Sequence, residues 1–134
     1  EYHAQPGVGF RLTPIFLRSL EDRAAVQRAT IPVERINGPV LLISGKDDAM
    51  WPSALFSEMV MERLAEHNHP WPDVHLSYEN VGHMLGQPWS STMIVQSLHP
   101  VTKTLFAYGG DPRASAHARA DAWPKILAFL NANL

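Results

Sequence analysis

The chain has 134 residues, of which 46% are hydrophobic and 18% charged, as is ordinary for one globular domain or part of one. Its net charge of −2 and isoelectric point near 6.4 indicate no basic face, so we predict no nucleic-acid partner. No apolar run approaches the roughly 18 residues of a membrane span. The absence of cysteine excludes disulfides and thiolate metal sites and fits a reducing compartment, so we predict the cytoplasm.

Residues 1–30 form a leading segment without a strict hydrophobic period. It lacks the basic stretch followed by an apolar one that marks a secretory signal. The pattern from Ile15 to Leu20 predicts a short helix that continues to Val26. Because the first residue is Glu1 rather than methionine, we expect a fragment or a processed product.

Two strands and the helix between them give the clearest pattern. The aliphatic run at 39–44 ends at Gly45 and is typical of a parallel strand that is buried on both faces. Apolar residues then recur at helical spacing over about 52–67, and a second strand is predicted at 73–78. Strand, helix and strand in this order form a βαβ unit, which predicts an α/β fold.

The remainder of the chain has weaker signals. Residues 84–112 show no clear period and contain several prolines and glycines, so we predict a long loop. A last helix is predicted from Ala116 to Leu134, where apolar residues repeat at three and four. Pro124 interrupts it, so the helix either kinks there or restarts with Asp121 as its cap, and we favour the restart.

One polar residue of interest follows each predicted strand. Asp48 lies three residues after Gly45, and His83 lies five residues after Tyr78. Taken singly, each has a plainer explanation as a helix cap or a loop residue. Functional groups of open α/β sheets, however, cluster beyond the carboxyl ends of the strands, and neighbouring strands bring two such loops together. A carboxylate beside an imidazole is the acid–base half of a triad, in the chain order of α/β hydrolases.

Several separate segments also resemble one family, in the right order and over about residues 31–134. They are IPVERI at 31–36, GPVLLISGKDD at 38–48, WPS at 51–53, YENVGH at 78–83, GGDPR at 109–113 and ARADAW at 118–123. Together they resemble the C-terminal domain of the acyl-CoA thioesterases and bile-acid-CoA:amino-acid N-acyltransferases. The resemblance implies that residues 1–134 are a partial domain, the C-terminal part of an α/β-hydrolase fold with its last parallel strands and flanking helices.

The resemblance implies a role for each residue of the candidate pair. Asp48 corresponds to the triad acid and His83 to the general base. Asp47 is the rival acid, but the hydrolase pattern of glycine, two residues and aspartate ends at Asp48, so Asp47 is expected to cap or brace the loop. Trp51 resembles the family's packing residue below that loop. The implied substrate of the complete enzyme is an acyl-CoA, hydrolysed or transferred to an amino acid, and no cofactor is implied.

The departure from the family is the nucleophile. No Gly-x-Ser-x-Gly elbow and no cysteine variant of it occurs, and Ser44 lies in the end of a strand. We therefore expect the nucleophile, serine or cysteine, to lie outside this chain, and the chain alone to be inactive. The strand at 39–44 would then lack a neighbour, so its bare edge is expected to pair with another copy or to cause aggregation.

Two other functions stay open. A non-catalytic module could bind a partner through the sheet edge, although retention of both Asp48 and His83 argues against it. A different α/β hydrolase, such as an esterase or peptidase, would share these two residues but not the segments at 109–123.

The other histidines and aromatic residues receive plainer interpretations. His67 and His69 form a His-x-His pair near His75, but no third ligand is evident, so we predict no metal site. Phe106 and Tyr108 could line an acyl pocket, and we assign them to packing instead.

Overall fold

The computed structural model describes residues 9–86, 89–91 and 93–133. In chain order the elements are α1 (Thr13–Ser19), α2 (Arg23–Ala29), a 3₁₀ turn (Val33–Arg35), β1 (Leu41–Gly45), α3 (Ser53–Glu66), β2 (Val74–Tyr78), β3 (Gln96–Leu98), β4 (Leu105–Ala107) and α4 (Pro112–Asn133). The start of the predicted leading segment, at 1–8, and Leu134 lie outside the described residues. Among the described helices, none has both the length and the hydropathy that crossing a membrane requires.

The predicted pair of strands forms a small parallel sheet. Leu41 lies opposite Val74 and Gly45 opposite Tyr78, and α3 connects the two strands and packs against both. The hydroxyl of Ser53 donates to the carbonyl of Gly45 at 3.1 Å, which ties the start of α3 to the end of β1. The mixed α/β class predicted from the sequence is therefore confirmed.

The predicted long loop at 84–112 is in part wrong, because it contains two strands. β3 and β4 pair antiparallel, with Leu98 opposite Leu105. The turn between them is held by His99, whose Nδ1 accepts the backbone N–H of Thr102 at 3.1 Å. Strands of three residues are too short to produce a hydrophobic period, which explains why the sequence did not reveal them.

The predicted single helix in the leading segment is also wrong, because α1 and α2 are separate. The carboxylate of Asp22 accepts the backbone N–H of Ala25 at 2.9 Å, so a new helix begins there. A side-chain oxygen that satisfies an otherwise unpaired N–H is the usual signal of a helix start.

At the other end of the chain, the favoured restart at Asp121 is wrong, because α4 runs through Pro124. The carboxylate of Asp121 is occupied elsewhere: it accepts from the Tyr78 hydroxyl at 2.7 Å and from Lys125 Nζ at 2.6 Å. The helix is anchored ahead of the proline by a buried face, which comprises Ser115, Ala118, Arg119 and Ala122. Packing of that face stabilises the helix against the backbone hydrogen bond that Pro124 removes.

The buried core is small. Its apolar members among the described residues are Ala49, Leu64, Val81, Ala107, Ala118 and Ala122. Residues 41–43 of β1 are only half-buried, so the predicted burial of this strand on both faces holds only at Ser44 and Gly45. No described strand pairs with the second edge of β1, and its pairing with another copy stays a prediction.

His69 joins the segments that lead into the two parallel strands. Its ring is 1% exposed; Nδ1 lies 2.6 Å from Asp73 Oδ2, and Nε2 lies 2.8 Å from the carbonyl oxygen of Ile36. Asp73 also accepts the backbone N–H of Val40 at 2.8 Å. Because both partners of the ring are acceptors, both ring nitrogens donate, and the bond to Ile36, followed by that to Asp73, raises the pKa of His69.

This arrangement predicts a stability that falls with rising pH. Since the folded pKa of His69 lies above its ordinary value of 6.5, its contribution is complete below that pH and is lost as the pH rises through the folded pKa. In urea unfolding we expect the midpoint of the wild type to exceed that of His69→Gln at about pH 6, with the gap closing towards about pH 9. His117→Gln, at an exposed position of α4, is the control and should give no such trend. If the difference in midpoint between the wild type and His69→Gln widened with rising pH, the assignment of a protonated His69 paired with Asp73 would be contradicted.

Candidate active site

Asp48 lies in the loop after β1, with its carboxylate fixed by backbone groups. Oδ1 accepts the N–H groups of Met50 at 2.8 Å and Trp51 at 3.2 Å. The backbone carbonyl of Asp48 accepts the hydroxyl of Thr13 at 2.7 Å, so the start of α1 supports the acid loop. The side chain is only 3% exposed, and its second oxygen, Oδ2, faces His83.

His83 lies in the loop after β2, and its Nδ1 is 3.2 Å from Asp48 Oδ2. The structure thus brings together the two residues that the sequence singled out. The imidazole is 28% exposed, and no described residue forms a hydrogen bond with Nε2. With the Nδ1 proton directed at the carboxylate, Nε2 carries the lone pair and can accept a proton.

Two aromatic side chains that the sequence assigned to packing contact the imidazole. The ring of Trp51 meets it edge-on, with centroids 5.1 Å apart at 84°, and the ring of Tyr108 stacks on it at 6.0 Å and 30°. Trp51 is 47% exposed, so it is not simply buried below the loop. Spacing along the chain gives no signal for these contacts, because they join residues from three separate loops.

A single carbonyl group connects the acid loop to the histidine loop. The oxygen of Tyr108 accepts the backbone N–H of Ala49 at 3.2 Å and that of His83 at 2.8 Å. Since Ala49 directly follows Asp48, this oxygen and the direct bond from the N–H of Asp47 to the carbonyl of Val81 at 2.9 Å together fix the distance between the two loops. A backbone group leaves no mark in the sequence, and the nearest visible signal is the Gly109–Gly110 pair that follows.

The neighbouring carboxylate, Asp47, has different partners. Its Oδ2 accepts the N–H of Gly110 at 3.0 Å, and its Oδ1 lies 3.7 Å from Arg11 Nη2. Asp47 therefore braces the loop against the 109–110 turn, while Asp48 faces the imidazole.

Arg119 holds the segment that follows the histidine. It is 3% exposed, and its guanidinium donates to the carbonyl of Ser90 at 2.6 Å and to the carbonyl of Met84. Its Nε has no hydrogen-bond partner in the described part of the chain. Arg119 belongs to the ARADAW segment, so the residue was visible in the sequence. Helical periodicity alone does not say why an arginine lies on the buried face of the helix.

Ser44 has a histidine partner but a buried location. Its hydroxyl lies 2.7 Å from Nε2 of His75, and the residue is 2% exposed, inside the parallel sheet. A buried hydroxyl on a strand offers no approach to a substrate, so this pair links β1 to β2. Of the three histidines weighed as metal ligands, His67, His69 and His75, His69 is bonded through both ring nitrogens, and the described residues contain no cluster suited to a metal ion.

Comparison with known proteins decides the family. A family model described as the C terminal of BAAT / acyl-CoA thioester hydrolase matches residues 12–134. The chain belongs to this family. The family predicted from the sequence segments is thereby confirmed.

Members of the thioesterase family share about a third of the aligned residues. The chain is 36% identical over 104 residues to the peroxisomal succinyl-coenzyme A thioesterase of Mus musculus, covering 78% of this chain and 24% of that protein. It is 32% identical to two Homo sapiens proteins: acyl-coenzyme A thioesterase 6 over 107 residues, covering 80% and 25%, and the mitochondrial acyl-coenzyme A thioesterase 2 over 108 residues, covering 81% and 22%. The chain thus spans about a quarter of the length of these relatives. Two of these relatives are named as peroxisomal or mitochondrial proteins. The cytoplasmic location predicted for this chain therefore stays a prediction.

Two glycines make the close approach of the loops possible. A Cβ on Gly82 would overlap the carbonyl oxygen of Gly109, and a Cβ on Gly109 would overlap the carbonyl oxygen of Asp47. Gly109 also has φ +74, a left-handed conformation that disfavours other residues.

We therefore expect Gly109→Ala to lower the free energy of unfolding by more than about 2 kcal/mol, because backbone overlap adds to the unfavourable φ. Gly38→Ala is the matched control, since nothing lies within 4 Å of the added Cβ, and it should be neutral within about 0.5 kcal/mol. Urea unfolding measures the loss of unfolding free energy in each variant. Equal losses in Gly109→Ala and Gly38→Ala would contradict the tight contact of the loops at Gly109.

Proposed function

We propose that this chain supplies the acid and the base of an acyl-CoA thioesterase whose serine or cysteine nucleophile lies outside these 134 residues. Asp48 is the acid and His83 the base, within the C-terminal part of an α/β-hydrolase fold. The observation that carries the proposal is the 3.2 Å contact between Asp48 Oδ2 and His83 Nδ1, at the tips of neighbouring parallel strands in a member of this family.

The geometry suits general acid–base chemistry on a thioester. As the nucleophile attacks the thioester carbonyl, Nε2 of His83 takes its proton, and the carboxylate of Asp48 stabilises the imidazolium. The same proton passes to the departing CoA thiolate, which leaves an acyl-enzyme. Nε2 then deprotonates a water molecule that attacks the acyl carbonyl, and the same proton passes to the nucleophile as its bond to the acyl group breaks, which releases the acid product and restores the enzyme. An amino acid in place of water would give an amide.

The exposed apolar surface supports the proposal that the rest of the enzyme lies outside this chain. Ile31 is 72% exposed, and Trp89 and Val101 are each 81% exposed. They are among 16 large hydrophobic side chains that are exposed in the described part of the chain, a surface that further protein would bury on contact. We infer that the nucleophile-bearing part covers such residues.

Activity of a joined protein tests the proposal. The chain alone is expected to show no thioester turnover. Inserted into the mouse succinyl-coenzyme A thioesterase in place of the matching quarter, it should support release of free CoA thiol from an acyl-CoA. His83→Ala should then lower kcat by about a thousandfold or more, because Nε2 no longer accepts the proton. Strong turnover by the isolated chain, or a mild effect of His83→Ala, would contradict the proposal.

The two adjacent aspartates provide a matched pair of variants in the same joined protein. Asp48→Asn should lower kcat by about a thousandfold, because an amide neither stabilises the imidazolium nor enforces the tautomer. Asp47→Asn should change kcat by less than about tenfold, since the amide oxygen can still accept from Gly110. Thermal unfolding serves to check that both variants are folded. A larger loss in Asp47→Asn than in Asp48→Asn would reassign the acid.

A further inference from the structure

The bond to Asp48 does not by itself fix the ring of His83. Its length of 3.2 Å is at the long end for N–H···O hydrogen bonds, which are most often 2.9–3.0 Å. The imidazole lies on a loop and is 28% exposed, so burial alone does not restrict it to one side-chain rotamer. A base held in one orientation needs supporting contacts besides this bond.

Tyr108 provides such contacts through both its backbone and its ring. Its carbonyl accepts the N–H of His83 at 2.8 Å, which fixes the backbone of the base. Its ring stacks on the imidazole with an interplanar angle of 30° and centroids 6.0 Å apart, while Trp51 meets the imidazole edge-on. Rotation of the imidazole about its own bond to Cβ would break the stack.

Tyr108 is itself anchored at both ends. Its backbone N–H donates to the carbonyl of Val95 at 2.7 Å, and its hydroxyl lies 2.5 Å from the hydroxyl of Ser97 on β3. The antiparallel pair β3–β4 is therefore connected to the imidazole by a chain of contacts that runs from Ser97 through Tyr108 to His83.

We propose that Tyr108 is a positioning residue for His83: it holds the imidazole plane so that Nδ1 faces Asp48 and Nε2 stays open. The proposal rests on the proposed function of His83 as the base, and it assigns to the β3–β4 pair the role of supporting that base. Ser97 acts through Tyr108 by fixing its ring.

The first test measures the Nδ1 proton of His83 by NMR of the 134-residue chain labelled with ¹⁵N-histidine. The signal is assigned by its loss in His83→Gln. Tyr108→Leu should make this proton exchange with water at least about tenfold faster, because the imidazole leaves Asp48 more often. Phe106→Leu is the matched control: it removes a ring two residues away on β4 that packs on Phe10 and His99, and it should change the rate by less than about twofold.

The hydroxyl pair permits a second test with milder variants, which also serves if Tyr108→Leu does not fold. Tyr108→Phe keeps the stacked ring and loses the bond to Ser97, and Ser97→Ala loses the same bond from the other side. Each should raise the exchange rate by about two- to fivefold, and the double variant should raise it no further, because one interaction has been removed. Additive effects, or no effect of any Tyr108 variant, would overturn the proposal.

Kinetics in the joined protein separate this proposal from the proposed function. Tyr108→Leu should lower kcat by about tenfold or more with KM changed less than twofold, and Phe106→Leu should leave kcat nearly unchanged. Faster proton exchange in Tyr108→Leu, together with full activity of His83→Ala, would refute the base role and leave the positioning of the ring intact. Unchanged exchange and unchanged kcat in Tyr108→Leu, with His83→Ala inactive, would refute the role of Tyr108 alone.

Discussion

The candidate site depends on three loops whose backbones touch without intervening side chains. The N–H of Asp47 donates to the carbonyl of Val81 at 2.9 Å, which joins the acid loop to the histidine loop, and the carbonyl of Tyr108 bonds to both. A Cβ on Gly45 would overlap the backbone of Val81, and one on Gly82 would overlap that of Gly109. Because the loops approach this closely, the carboxylate and the imidazole meet. The contact between Asp48 and His83 is thus a consequence of the way the loop backbones pack. The contact is not the cause of that packing.

The sequence predicted the part of this arrangement that has local signals. A continuous aliphatic run and an amphipathic helix are visible within a short window, and the strand-end rule then selects Asp48 and His83. The supporting groups have no such signal. Tyr108 acts partly through its carbonyl, which every residue has, and Trp51 contacts the imidazole only because the two loops are already folded together. The strands β3 and β4 were missed because three residues are too short to show a hydrophobic period, and only their pairing with each other defines them.

Helix α4 shows how a tertiary contact can overrule a local rule. An aspartate three residues before a proline, as at Asp121 and Pro124, is typical of a helix N-terminus. Here the carboxylate of Asp121 instead accepts hydrogen bonds from the Tyr78 hydroxyl and from Lys125. Burial and the bond to Asp121 raise the pKa of Tyr78, and the bonds from Lys125 and Tyr78 hold the pKa of Asp121 below its usual range. The phenol therefore remains a donor and the carboxylate an acceptor across ordinary pH. This bond attaches α4 to the end of β2, close to the loop that carries His83.

The tips of the two parallel strands are among the most buried parts of the chain. Ser44, Asp48, Ala49 and Val81 are among the most buried residues, and all lie at the tips of the two parallel strands, whereas many large apolar side chains elsewhere are exposed. Packing density holds side chains in fixed positions, and the well-packed residues of this chain include those that present the carboxylate and the backbone of the histidine loop. The contacts that set this geometry come from residues of the chain itself, including Thr13, Tyr108 and Arg119. The contact between Asp48 and His83 is therefore maintained by groups that the described residues of this chain themselves supply.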